Sequence, residues 1–196
     1  MKNVKLGVKL SGLWSLVLAV ELLSGCASQQ AKTSKNADIP TSPPAGKALI
    51  CIHRPKGSVG RQFYAPVWVD TRLIAALGNG QSVACICEPG KHDFLCLSAE
   101  ITSCVQAELL ANQTYDLWID RYLGWWQNDF KIKPLHQDGK TRQLVAEWSK
   151  ENHWVEAASS EAAHVQGYQS VQHLIEEFTV GKRHDKLQYL APDDHR

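Results

Sequence analysis

Apolar and polar positions divide the chain into three textures. Residues 10–20 form an apolar run carried by Leu13, Trp14, Leu16, Val17, Leu18 and Val20. Residues 27–46 hold almost no large apolar side chain and include Pro40, Pro43 and Pro44. From Lys47 onward, short apolar runs alternate with turn residues, the texture of a β-rich domain. Residues 48–53 read as a first strand, stopped by Arg54-Pro55 and the loop 56–60. Residues 66–70 form a second strand and 72–76 a short third. Gly78-Asn79-Gly80 marks a tight turn, because Asn-Gly tolerates positive φ at both central positions. The run 82–88 closes on Pro89-Gly90, a pair suited to a type II turn. Strands at 92–97, 101–110, 114–120 and 130–135 complete the set.

Short strands at this spacing predict a mainly β domain over 47–135, an Ig-like β-sandwich. Alternation places Val67, Val69, Ala84, Ile86, Leu95, Leu97, Leu117 and Ile119 on its core face. Residues 136–196 form a C-terminal extension. Its stretches 143–148 and 153–157 fit either a last hairpin or the start of a helix. Beyond them Ala162, Val165, Tyr168, Val171, Leu174, Ile175 and Phe178 recur at three or four, which predicts a helix over about 160–180. Ser159 or Ser160 suits its cap, Glu161 its first turn and Gly181 its stop, with Lys182 and Arg183 at the negative end. The apolar face of that helix packs on the sandwich or receives a partner. Residues 186–196 read as a loose tail.

The run at 10–20 changes meaning with its flanks. Lys2, Lys5 and Lys9 precede it, and Leu23-Ser24-Gly25-Cys26 follows. Eleven residues are too few to span a bilayer, which needs about 20, but they match the apolar centre of an export signal. Residues 1–26 resemble bacterial lipoprotein signals, with Glu21 as a departure. The resemblance implies cleavage after Gly25 and lipidation of Cys26 through a diacylglyceryl group on its thiol. Each buried methylene contributes about 0.8 kcal/mol, so the two or three acyl chains of such proteins make a durable membrane anchor. Ala27, rather than aspartate, after the cysteine implies delivery to the outer membrane, facing the periplasm. Residues 26–46 then become the lipidated cysteine and a flexible linker, whose 20 residues after Cys26 span roughly 25 Å as a coil and roughly 65 Å stretched.

Composition removes one class of partner. Three of the 21 basic residues and one of the 20 acidic residues precede Cys26, which leaves 18 and 19 in the mature part, a net charge of −1. That balance gives no footprint for nucleic acid. No Gly-x-Ser-x-Gly, His-Glu-x-x-His or phosphate loop occurs, and the eight histidines are scattered. The sequence therefore predicts no enzyme and no cofactor. Asn112-Gln113-Thr114 is a formal glycosylation sequon that reads as a turn.

Five cysteines remain beyond Cys26: Cys51, Cys85, Cys87, Cys96 and Cys104. Cys96 and Cys104 lie on consecutive strands and form the best candidate disulfide, worth about 2–3 kcal/mol if its geometry is met. Cys85 and Cys87 share a strand face, and Cys51 meets either across the sandwich. Cys51, His53, Cys85 and Cys87 are the alternative as metal ligands, although a one-residue spacing is not that of a zinc knuckle; small buried thiols are the simpler reading, with no metal. Trp125-Trp126, after the strand at 114–120, is either a recognition patch or a cap on the open end of the sandwich.

The segments Lys47-Ala48-Leu49-Ile50, His53-Arg54-Pro55, Val67-Trp68-Val69-Asp70, Leu77-Gly78-Asn79-Gly80, Glu88-Pro89-Gly90-Lys91-His92 and Leu110-Ala111-Asn112-Gln113-Thr114-Tyr115 occur in an order that resembles the domain of unknown function 2846 family. Its members are mostly small bacterial lipoproteins. The resemblance covers about residues 47–120 and implies a prealbumin-like or carboxypeptidase-regulatory-like sandwich with no established activity. Asn112 stands where that family tends to have glycine, and Cys85 and Cys87 stand where aromatic or aliphatic residues are expected.

The resulting expectation is a lipid-anchored cell-envelope protein, a non-enzymatic binding or structural module for an envelope protein or polymer. The alternatives are a carrier of a small apolar ligand between the sandwich and the C-terminal helix, and a thiol or metal enzyme built on Cys85 and Cys87.

Overall fold

A computed structural model describes residues 39–57, 60–98, 101–123, 128–136, 138–158 and 168–196. The chain runs β1 (Ala48–Arg54), β2 (Ala65–Val69), β3 (Arg72–Leu77), β4 (Gln81–Cys87), β5 (Gly90–Leu97), β6 (Thr102–Leu109), β7 (Thr114–Leu123), β8 (Asn128–Pro134), α1 (Gly139–Glu151), β9 (His153–Val155), α2 (Tyr168–Thr179), a 3₁₀ turn (His184–Lys186) and β10 (Gln188–Leu190). The strands form two five-stranded mixed sheets, one ordered β8-β7-β1-β4-β9 and the other β10-β6-β5-β2-β3. Among the described residues no helix is long and apolar enough to cross a membrane.

The period of two along each strand builds the core between the sheets. Ile50 and Ile52 of β1, Val83 and Cys85 of β4, and Leu117 and Ile119 of β7 meet Val67 and Val69 of β2, Phe94 of β5 and Val105 of β6. A second apolar layer lies on the far side of the β10-β6-β5-β2-β3 sheet. There α2 lays Val171 and Phe178 against Trp68, Leu95 and Cys104. The period of three and four in α2 therefore buries its stripe against the sheet. Strand β1 is buried along its whole length. It sits third of five, between parallel β7 and antiparallel β4, with both faces covered, which is why it reads as an unbroken apolar run.

Val67, Val69, Leu117 and Ile119 face the inter-sheet core as expected. The other four expected core residues do not. In β4 the phase is shifted by one: Val83, Cys85 and Cys87 point inward, while Ala84 is half-buried and Ile86 is 43% exposed. Leu95 and Leu97 belong to the layer under α2, because β5 is covered on both faces.

One turn differs from expectation and another is as expected. At Gly78-Asn79-Gly80 only Gly80 has positive φ, at 70°, and Gln81 N–H donates to Gly78 C=O at 3.2 Å. That is the type II pattern, with the left-handed residue third. Asn112 stands at φ 62°, and its side-chain oxygen accepts from Gly46 N–H at 2.8 Å. Asparagine tolerates this conformation, which accounts for its place at a glycine-type position.

The segment after residue 135 is more than an extension. It supplies an edge strand to each sheet: β9 pairs in parallel with β4, and β10 in parallel with β6. Residues 143–148 lie inside α1, whose start is capped by the Asp138 carboxylate accepting from Thr141 N–H at 2.7 Å. The stretch 153–157 contributes β9. Helix α2 is described from Tyr168, and 159–167 fall outside the described residues. The expected loose tail is tied down. Tyr189 pairs with Gln106, Tyr115 bridges to His195, and Arg196 N–H donates to Thr114 C=O at 2.8 Å.

Candidate functional site

Cys26, Trp125 and Trp126 lie outside the described residues. The expected Cys96–Cys104 disulfide is corrected by the strand register. Cys96 pairs with Ser103 and Cys104 with Leu95, so the two cysteines are one position out of step. Successive residues point to opposite faces, and the sulfurs end up on opposite sides of their sheet, Cys96 in the inter-sheet core and Cys104 under α2. All five described cysteines are buried free thiols. Burial pushes Cys51, Cys96 and Cys104 each up to about 12. Cys51 and His53 alternate with the inward-facing Ile50 and Ile52, whereas Cys85 and Cys87 face the core, so the four do not converge on one point.

Three polar constellations stand out. The first lies on the outer face of the β8-β7-β1-β4-β9 sheet. His53 Nδ1 is 2.9 Å from Ser82 Oγ, and its Nε2 is 3.1 Å from Asp116 Oδ1. Asn152 donates from Nδ2 to Ser82 Oγ at 2.9 Å, and Arg196 Nε forms an ion pair with Asp116 Oδ2 at 3.0 Å. The proton pattern follows from the partners. Ser82 Oγ accepts from the asparagine, its hydroxyl donates to Nδ1, and Nε2–H donates to the carboxylate. This is the connectivity of a Ser–His–carboxylate relay. It cannot act as one as it stands. His53, Ser82 and Asp116 have no exposed surface, and the rings of Trp154 and Trp148 lie 5.6 and 6.2 Å from the imidazole. An acyl substrate has no approach to Oγ, and the network serves to satisfy buried polar groups. Sequence reasoning offers His53 only as a metal ligand. The parallel β1–β7 pairing that brings Asp116 to it leaves no local sequence mark.

The second constellation is at the β4–β5 corner. His92 Nδ1 is 2.9 Å from Asp70 Oδ2, and Nε2 is 2.9 Å from Glu88 C=O. Both partners are acceptors, so both ring nitrogens donate and the imidazole is cationic. The hydrogen bond to Asp70 raises His92 to about 9. Asp70 holds a left-handed turn at φ 54°, and its Oδ1 accepts from Asp93 N–H at 3.0 Å. Nearby, Cys87 is lowered by its hydrogen bond with Cys85, with a further contribution from the His92 charge, while Cys85 is raised.

The third is a cleft of about 600 Å³ lined by Ile101, Thr102, Ser103, Lys131, Lys133, Arg183, Lys186 and Gln188. It lies over the seam where the β8 edge of one sheet meets β6 and β10 of the other. An edge strand exposes unpaired backbone groups. Here side chains satisfy them: Ser103 Oγ accepts from Ile132 N–H at 2.8 Å, and Gln188 Nε2 donates to Ile132 C=O at 3.0 Å. Alternation along β8 sends Phe130 and Ile132 inward and leaves Lys131 and Lys133 to the cleft. Arg183 and Lys186 close it from the far side, where the chain leaves α2 and turns into β10. Lys133 is 2.6 Å from Asp120 Oδ2 and 5.5 Å from the Trp118 ring centroid, and Arg183 Nε is 3.1 Å from Glu177 Oε2. Among the described residues the lining contributes four cations and no carboxylate. Such a cluster of cations suits an anionic ligand. Its cations come from segments some fifty residues apart in a chain of near-zero net charge, so composition hides it.

Comparison of the chain with family models, with curated proteins and with solved structures finds no match, and the functional reading rests on the residues themselves.

Proposed function

We propose that this chain is a lipid-anchored envelope protein whose domain, an Ig-like or prealbumin-like β-sandwich of the domain of unknown function 2846 type, is a non-enzymatic binding module. The basic cleft is its binding site, and its partner is an anionic envelope component. One observation carries this reading: four cations from both sides of the sheet seam converge on one open cavity, with no carboxylate among its described lining residues. The motif at residues 23–26 supports the membrane address, and the linker at 27–46 lets the cleft stand off the surface.

The sealed Ser82–His53–Asp116 network weighs against a hydrolase. The carrier alternative draws no support from the layer under α2, where Trp68, Leu95, Cys104 and Phe178 fill the space. A photocrosslinking residue at Ile101, an uncharged residue of the lining, should trap an envelope component in cells, and the same residue at exposed Val180 should not. Equal or absent trapping at the two positions overturns the cleft. Cys26→Ser should release the protein from membranes, and membrane retention of that variant overturns the anchor.

A further inference from the structure

We infer that the cleft takes a phosphorylated saccharide group, presented either as a soluble sugar phosphate or as a glycolipid headgroup. This rests on the reading of the cleft as the binding site and adds its ligand chemistry. Size favours an occupant larger than a bare inorganic anion. A cavity of about 600 Å³ falls in the range of small organic ligands, roughly 300–1,000 Å³.

The cationic side chains suit an anionic group that takes several hydrogen bonds at one centre. Lys131 and Lys133 face the cleft from β8, and Arg183 and Lys186 from the opposite side. Arg183 spends Nε on Glu177, which leaves its terminal nitrogens for a ligand. Lys186 is exposed and makes no ion pair among the described residues. A phosphate monoester offers three oxygens to such donors, and arginine and lysine are the side chains suited to it.

The uncharged groups suit a ligand that also carries hydroxyls. Ser103 Oγ accepts from Ile132 N–H and retains its own proton to donate. Gln188 spends Nε2 on Ile132 C=O, so its side-chain oxygen remains as an acceptor among cations. A fully ionised phosphate carries no donor for that oxygen, whereas a sugar hydroxyl does. Thr102 supplies one more hydroxyl to the same wall.

The test is calorimetric titration of the purified protein with glucose 1-phosphate, with glucose, inorganic phosphate and glucuronate as comparators. Flotation of the Cys26→Ser protein, which lacks the anchor, with phosphatidylcholine vesicles, with and without a phosphorylated glycolipid, forms the second arm. The sugar phosphate should bind at least about tenfold more tightly than the three comparators, and added salt should weaken it. Lys131→Gln with Lys186→Gln should cost at least about tenfold in affinity. Lys186→Glu, at an exposed position, should do the same without altering the unfolding transition. Binding confined to glycolipid vesicles supports the inference and assigns the source to the membrane; binding in solution assigns it to a free ligand. Glucuronate binding as tightly as the sugar phosphate, with the same loss in the variants, overturns the phosphate inference and leaves the anionic cleft standing. Failure of every anion in both arms, together with no trapping at Ile101, overturns both.

Discussion

The His92–Asp70 pair ties stability to pH in a direction that can be worked out. His92 titrates near 6.5 when exposed and is raised to about 9 in the fold, first by its hydrogen bond to Asp70. A group raised on folding adds stability that is fully present below its unfolded value and is lost as pH rises through its folded value. The window therefore runs from about 6.5 to about 9, with the more stable side acidic. A tenfold change in proton affinity corresponds to about 1.4 kcal/mol, so the whole rise would give about 3 kcal/mol. The imidazole side chain is 16% exposed but Asp70 is 49% exposed, and solvent screening lowers that to about 1–2 kcal/mol. Asp70→Asn is the clean perturbation. Asparagine tolerates the φ of 54°, and its amide oxygen can still accept from Asp93 N–H, so the turn is kept while the charge is removed. Urea unfolding of both proteins should show the parent more stable by about 1–2 kcal/mol near pH 6, with the gap closing toward zero near pH 10. A gap that stays constant across that range, or widens with pH, refutes the assignment of a cationic His92.

Two further predictions concern the other buried features. Phe178→Ala should destabilise the protein by about 3–5 kcal/mol in the same assay, because the ring is 1% exposed against Trp68 and Leu95; a loss under about 1 kcal/mol would mean that α2 does not pack there. Ser82→Ala should cost about 1–3 kcal/mol by stranding His53 Nδ1 and the Asn152 amide, and an active-site serine probe should leave Ser82 unlabelled in the parent; labelling at Ser82 would reopen the hydrolase reading.

What the sequence discloses and what it hides divide along contact range. Strand positions are legible because the period of two and the glycine turns are local signals. Half of the expected core is misplaced, and the cause lies in how the strands are covered. A strand covered on both faces, such as β5, carries apolar residues at successive positions, and alternation then has no phase to read. In β4 the pairs Ala84/Ile86 and Cys85/Cys87 compete, and the aliphatic residues are the natural choice. The inward face nevertheless goes to the cysteines, which behave as small apolar groups. Cys96 and Cys104 match on spacing alone, and spacing does not report register. The cleft escapes a linear reading because its walls come from β8 and from the chain between α2 and β10. The side-chain bonds from Ser103 and Gln188 to Ile132 that bring them together have no local pattern.

The cleft also has to be weighed against a simpler purpose for lysines on an edge. Edge strands carry lysine to stop one sheet from pairing with another, and β8 is an edge. That accounts for Lys131 and Lys133 taken alone. It does not reach Arg183 or Lys186, which lie off the strand ladder, beyond the end of α2. Nor does it fit the state of the edge itself, since the N–H and C=O of Ile132 are already occupied by Ser103 and Gln188. An edge with its middle residue capped has less need of charged guards. Bringing four cations around one cavity costs repulsion that separate guards would avoid, and Asp120 and Glu177 offset that repulsion from outside the lining, at Lys133 and Arg183. Carboxylates placed behind the cations, with none among the described lining residues, offset the repulsion without entering the cavity, an arrangement that suits an anion site better than a row of edge guards.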